Sequence, residues 1–246
     1  MAGDIEPSNV YPRVASAAVE SEHSLFDSTE AERWNAGLAE DSRPSDLDDK
    51  VYVTATEQSK RGLLSKPMSK SQVDLIFGKG RWKGIRRRGI DQHGKCRGID
   101  NARSSRTNFA AWLEETISTA PQDIGIQVVC WLFQGKIGKK RFEDLKRFLR
   151  VYLGADDLQD AYHGCPNDVT QLCFCVVAIM NPKTKKVEFY ISYTHLFGLT
   201  AAVVNFNRLP ELLTAVARRV GIAPSWHFFD DQGTLDFAEE EGGSCP

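Results

Sequence analysis

Three turn signals constrain this chain more than any other feature of it. Asp91-Gln92-His93-Gly94 lies between two extended stretches, Gly84–Ile90 and Lys95–Ile99. Asn181-Pro182-Lys183-Thr184 separates the apolar run Gln171–Met180 from the alternating run Lys186–Tyr193, and Asp230-Asp231-Gln232-Gly233 joins Ser225–Phe229 to Thr234–Phe237. Asn, Asp, Gly and Pro accept the backbone dihedrals that tight turns require, so each signal predicts a β-hairpin. Helical spacing is expected at Ser28–Leu38, Asn108–Thr119, Lys139–Tyr152 and Thr200–Val220. The last has Arg218 and Arg219 in its final turn and Gly221 after it, while Pro210 should kink or divide it. Ile124–Phe133 suits a buried strand or a buried helix, and its periodicity does not choose between them.

With 246 residues, 41% of them apolar and 26% charged, the chain can bury a core as one large domain or two small ones. It has no run of eighteen apolar residues, and its start lacks a basic segment followed by an apolar one. An intracellular protein of cytoplasm or nucleus, with no membrane partner, is therefore expected. The six cysteines form no C-x-x-C pair, which predicts reduced thiols rather than zinc or disulfides.

Charge is distributed unevenly. Residues 1–50 carry twelve acids against four bases with few regularly spaced apolar residues, which predicts an acidic, disordered leader holding one short helix. From Lys79 to Arg106 ten Lys or Arg face only Asp91 and Asp100, and the turn at 91–94 places them on a ribbon. A charge run is commonly just a solvated face; at this density it also suits an anion such as a nucleic-acid backbone.

Carboxylates recur at the ends of apolar strands, at Asp156-Asp157 and again at Asp230-Asp231. Clustered carboxylates repel one another unless a cation neutralises them, and hard divalent ions take oxygen ligands. Phosphoryl or nucleotidyl transfer is the chemistry this suggests. An EF-hand loop does not fit, because placing Gly233 at its sixth position puts Phe228 at its first. His93, His163, His195 and His227 are too scattered to suggest zinc.

The segment Asp157-Leu-Gln-Asp-Ala-Tyr162 resembles the D-x-x-x-A-Y motif of reverse transcriptases. Phe197-Gly-Leu-Thr-Ala-Ala-Val-Val-Asn-Phe-Asn-Arg208 is similar to their F-G-L-x-x-A-x-x-x-F-x-R helix, with Val203 where proline is common, and Phe228-Phe-Asp-Asp231 resembles their aromatic-x-D-D hairpin. Upstream, Gly94-Lys-Cys-Arg-Gly-Ile-Asp100, followed by Arg103 and Asn108, looks like the K-x-R-x-x-x-D ribbon of the fingers, one residue shorter. The likeness covers roughly Lys79–Phe237 and is nearest to retrotransposon polymerases.

The resemblance implies that Asp157 and Asp230 bind two magnesium ions, with manganese as an alternative, that Asp231 contributes more weakly, and that the Leu158 carbonyl is a further ligand. It implies that Lys95 and Arg97 grip the triphosphate, that Tyr162 lies under the incoming sugar and selects deoxynucleotides, and that Gly198 lets template and nucleotide approach the backbone. Taken alone, Tyr162 reads as a core aromatic and Gly198 as an ordinary helix-entry glycine. The implied architecture is α+β: a right-hand polymerase palm, an antiparallel sheet backed by helices, over 151–238, with a fingers-like region at 51–150 and a disordered acidic tail at 239–246. The thumb is expected to be absent, since only fifteen residues follow Asp231. The implied function is RNA-directed DNA polymerisation by a domain of a truncated mobile element, acting on an RNA or DNA template with its primer and on deoxynucleoside triphosphates. The alternative is an inactive remnant that only binds nucleic acid.

Overall fold

A computed structural model of the chain describes residues 3–5, 7–9, 11–16, 21–41, 43–118, 123–135, 149–158, 160–221 and 223–239. The chain forms two compact units, the first made of Met1–Thr116 and Tyr162–Asn205, the second of Ile117–Ala161 and Phe206–Pro246. This division runs through the stretch 151–238 that the sequence predicts as one palm. The fold is mixed α and β.

The first unit contains a small sheet and a larger one. In the small sheet β5 (Ala111–Glu115) lies between β1 (Gly3–Ile5), parallel to it, and β2 (Arg13–Ser16), antiparallel. The larger sheet has the order β4-β3-β7-β8, from β3 (Gly84–Gln92), β4 (Lys95–Asp100), β7 (Val176–Asn181) and β8 (Lys186–Ile191). Two of its pairings are the expected hairpins, and β3 joins β7 in parallel. The β3–β4 turn consists of His93 and Gly94 at φ 55° and 82°, the left-handed pair of a tight hairpin turn, and Asp91 Oδ1 accepts the Gly94 N–H at 2.8 Å.

All six residues of β7 are buried, because both faces of the strand are covered. Val177 and Ile179 pack with Val51, Ala55 and Tyr190; Val176, Ala178 and Met180 pack with Leu38, Val73, Trp82 and Phe189. The covering residues come from α2 (Ser28–Glu40), α3 (Asp48–Lys60) and α4 (Lys70–Phe77), which follow the short α1 (Glu22–Leu25). Asp27 caps α2 through the Thr29 and Glu30 N–H groups, and Ser69 with Gln72 closes a capping box on α4. α2 gives the short helix expected at Ser28–Leu38, packed into the core of the first unit. Asn35 and Leu38 are buried, and the Asn35 side chain bonds both the Trp82 carbonyl and the Gly84 N–H.

In the second unit β6 (Leu149–Asp157), β10 (Asp231–Glu239) and β9 (Ser225–Phe228) form an antiparallel sheet in the order β6-β10-β9, with α5 (Ile124–Gly135) against β10. Ile124–Phe133 is therefore helix. Along the sequence α6 (Thr200–Arg219) begins in the first unit and ends in the second; it continues through Pro210.

Three expectations on local structure are corrected. Asn108–Thr119 gives one 3₁₀ turn, Thr107–Ala110, and then β5, because pairing with both β1 and β2 outweighs helical spacing. Of the predicted helix Lys139–Tyr152, residues 139–148 lie outside the described residues, and Leu149–Tyr152 are strand, laddered to Glu239–Asp236. The third hairpin turns at Phe229–Asp230, two residues earlier than the Asp-Asp-Gln-Gly signal suggests. The cysteines Cys96, Cys130, Cys165, Cys173 and Cys175 are free thiols.

Candidate functional site

The early turn of the third hairpin decides where the carboxylates go. Because β10 starts at Asp231, that residue pairs with Phe228 on one side and with Asp157 on the other. Directly opposed residues of an antiparallel pair project to the same face with Cβ atoms about 4.5–5.5 Å apart, so Asp157 and Asp231 share one face at the end of the sheet. Asp230 sits in the turn beside them, and its carbonyl accepts the Leu158 N–H at 3.1 Å. Asp157 and Asp231 are exposed and Asp230 is half-buried. Among the described residues no cationic side chain pairs with any of the three. Among the described residues, also, no three His, Cys, Asp or Glu side chains converge tightly enough to form a ready metal cage.

The turn is backed by strained backbone. Phe229 has φ 54°, a conformation that costs a bulky L-residue free energy and that clusters at functional sites. Its ring meets Phe228 edge-on, with centroids 5.0 Å apart. The left-handed first central residue is what a two-residue hairpin of matching twist needs, and here a phenylalanine supplies it.

The other residues singled out by the sequence belong to the first unit. Lys95 and Arg97 lie two apart on β4, hence on one face, and both are exposed. Tyr162 packs edge-to-face on Phe197, the residue before Gly198 in the chain, with centroids 5.7 Å apart. Gly198 has φ 128° and presses against the Asp100 carbonyl, leaving no room for a Cβ. That loop is held from three sides. Asp100 N–H donates to the Phe197 carbonyl at 3.0 Å, while Asn108 Nδ2 donates to the Gly198 carbonyl at 2.9 Å and its Oδ1 accepts the Thr200 N–H at 3.0 Å. The Asp100 carboxylate is fully buried and takes a two-pronged pair from Arg87, at 2.7 and 2.9 Å. Arg87 Nη1 also reaches Gln58 Oε1 at 2.8 Å.

Arg87 and Asp100, 13 residues apart and directly opposed across β3 and β4, thus tie the base of the basic hairpin to the Phe197–Gly198 loop. Sequence reasoning counted Arg87 only as one more cation; the signal it missed was a lone Asp at the foot of a basic ribbon.

The ribbon is also less free than its composition suggests. Lys83, Arg86 and Arg87 are buried, and Glu30 lies 3.5 Å from Lys83 and from Arg106. Glu32 approaches Lys79 at 3.6 Å, and Asp41 approaches Arg88 at 3.8 Å. The acidic segment is the counter-charge of the basic one. The cations left for a ligand at the hairpin tip are Lys95 and Arg97.

The cations of 136–148 lie outside the described residues. No described helix is long and apolar enough to cross a membrane. Set against protein-family models and against curated proteins, the sequence matches none of them.

Proposed function

We propose that this chain is a reverse transcriptase-like nucleotidyl-transfer domain, in which the β6-β10-β9 sheet is the palm bearing the catalytic carboxylates and the β3–β4 hairpin belongs to the fingers. The single observation that carries the reading is the opposition of Asp157 and Asp231 at the sheet end, with Asp230 in the adjoining turn. Acids 74 positions apart are paired there with no neutralising side chain among the described residues, as a divalent-cation site requires.

Magnesium takes carboxylate and carbonyl oxygens, and the donors at hand are two exposed carboxylates on one face, a third in the turn, and Leu158 directly after β6. Asp157, Asp230 and Asp231 would hold the ions, with the Leu158 carbonyl as a further oxygen. Two magnesium ions, or manganese in their place, supply activation of an attacking 3′-hydroxyl and stabilisation of a leaving pyrophosphate. The protein's part is to fix Asp157 and Asp231 on a paired ladder, with Asp230 in the turn beside them. Lys95 and Arg97 offer fixed cations to the triphosphate. Tyr162, held edge-on by Phe197, presents a rigid ring, which suits discrimination against a 2′-hydroxyl.

Primer extension with magnesium on RNA and DNA templates tests this. Wild type should extend, and Asp157→Asn and Asp230→Asn should each abolish extension while leaving template binding intact. Salt-sensitive binding with no extension by wild type in magnesium or manganese overturns the polymerase and leaves a nucleic-acid-binding remnant.

A further inference from the structure

Arg86 is a buried cation without a full set of partners. It is 6% exposed, its Nε and Nη1 make no hydrogen bond, and the nearest carboxylate oxygen, Asp41 Oδ2, lies 4.0 Å from Nη1. That carboxylate is already engaged. Arg43 Nε donates to Oδ1 at 2.8 Å and Nη2 to Oδ2 at 3.0 Å, and Arg88 Nη2 stands 3.8 Å away. Asp48, the other acid whose charge reaches Arg86, spends its Oδ2 on the Ser45 N–H at 2.8 Å. One carboxylate therefore serves three guanidiniums, and the local excess is positive.

The placement of these cations is set by β3. Gly84, Arg86 and Arg88 alternate onto the same face of the strand, and a Cβ on Gly84 would press on Leu38, so this face lies under the C-terminal part of α2. From there the row runs outward, from buried Arg86 to Arg88, whose side chain is 53% exposed. Asp41 and Arg43 line an open groove of about 350 Å³, together with Glu30, Arg33, Trp34, Gly37 and Leu38; Arg86 and Arg88 adjoin it through Asp41 and are not part of its lining. The Trp34 N–H is committed to the Gly84 carbonyl at 2.8 Å, which leaves its ring as apolar lining.

We propose that Arg43, Arg86 and Arg88, gathered round Asp41 at the end of α2, form a phosphate site for the backbone of a single-stranded nucleic acid. Guanidinium forks match phosphate oxygens, and a phosphate beside Asp41 would add negative charge where one carboxylate serves three guanidiniums. The adjoining groove is of nucleotide size and sets the Trp34 ring beside Arg33 and Arg43, and an aromatic surface next to cations is how single strands are held without sequence preference. The site deepens the reading of this chain as one that handles nucleic acid, and it shares no residue with the acids assigned to chemistry.

The test uses the full chain and a fluorescein-labelled single-stranded oligonucleotide, followed by anisotropy across a salt series. Arg86→Met and Arg88→Ala should each weaken binding several-fold and reduce the log–log salt slope by about one. Arg86→Met should melt no lower than wild type, since it removes a buried charge that is poorly paired. Inorganic phosphate should raise the melting temperature of wild type and leave that of Arg86→Met unmoved. Unchanged affinity and slope in both variants overturn the site, as does a lowered melting point in Arg86→Met with binding intact. A phosphate response without loss of oligonucleotide affinity in the variants overturns the nucleic-acid source and leaves a small-anion site. The two readings fail separately: wild type that binds through Arg86 but never extends sinks the polymerase alone, and extension with affinity and salt slope unchanged in both arginine variants sinks the phosphate site alone.

Discussion

Asp157 and Asp231 stand directly opposite one another in the β6–β10 ladder, on one face, at the end of the sheet where the next hairpin turns. Like charges directly opposed across a ladder are destabilising, so the folded chain keeps an unfavourable contact that packing does not require. Both side chains are exposed, so neither is held by the core. Retention of such a pair is what a cation site predicts.

Neutralising one member should therefore stabilise the apoprotein. Asp231→Asn is expected to raise unfolding free energy by a few tenths to about 1 kcal/mol, measured by urea denaturation in the presence of a chelator. Magnesium should raise the melting temperature of wild type and have little effect on the variant. A variant less stable than wild type would contradict the repulsion.

Gly198 should tolerate no side chain. Its φ of 128° and its contact with the Asp100 carbonyl make Gly198→Ala both strained and clashing. A loss of about 1–3 kcal/mol is expected from the backbone alone, with the clash adding to it. Equilibrium unfolding measures this, and a neutral substitution would show that the loop can shift freely.

Removing either member of the Arg87–Asp100 pair leaves the other charge buried. Arg87→Ala and Asp100→Ala should each cost about 3–5 kcal/mol, and the double variant should cost much less than their sum. A double-mutant cycle by denaturation gives the coupling; additive effects would mean the two side chains do not depend on each other.

Acid should destabilise the fold in two windows. Burial holds His195 near a pKa of about 4 against an ordinary 6.5, and its Nδ1 bonds Asn167 Oδ1 at 2.9 Å. Between those values the unfolded chain takes up the proton and the folded chain does not, so stability falls as pH drops from about 6.5 to 4. The Arg43 hydrogen bond holds Asp41 at about 2, below its ordinary 3.8, so its stabilising effect is complete above 3.8 and fades as pH falls towards 2. Melting temperatures across pH should show both limbs. His195→Gln should flatten the upper one and Asp41→Asn only the lower; an upper limb that persists unchanged in His195→Gln would remove the assignment.

Much of the local structure was legible in the sequence. The Asp-Gln-His-Gly and Asn-Pro-Lys-Thr turns announced two hairpins, and the Arg-Arg-x-Gly end of α6 announced where that helix stops. Those signals work because turn and cap chemistry act between neighbours. The third hairpin was legible in kind and misplaced by two residues, since a Phe at left-handed φ is disfavoured locally and persists only where surrounding contacts hold it. The acidic segment looked like a leader because its partners, Lys83, Arg88 and Arg106, lie some fifty or more residues further on.

By itself the sequence determined the motifs, the alternation of β-hairpins with helices, and which acids and cations are candidates for chemistry. These follow from interactions over a few residues. Only the tertiary structure decided that Asp231 faces Asp157, that Arg87 is locked to Asp100, and that much of the basic ribbon is neutralised by the segment before it. Register, burial and long-range pairing are set by which faces can be covered together, and no single stretch of chain holds that information.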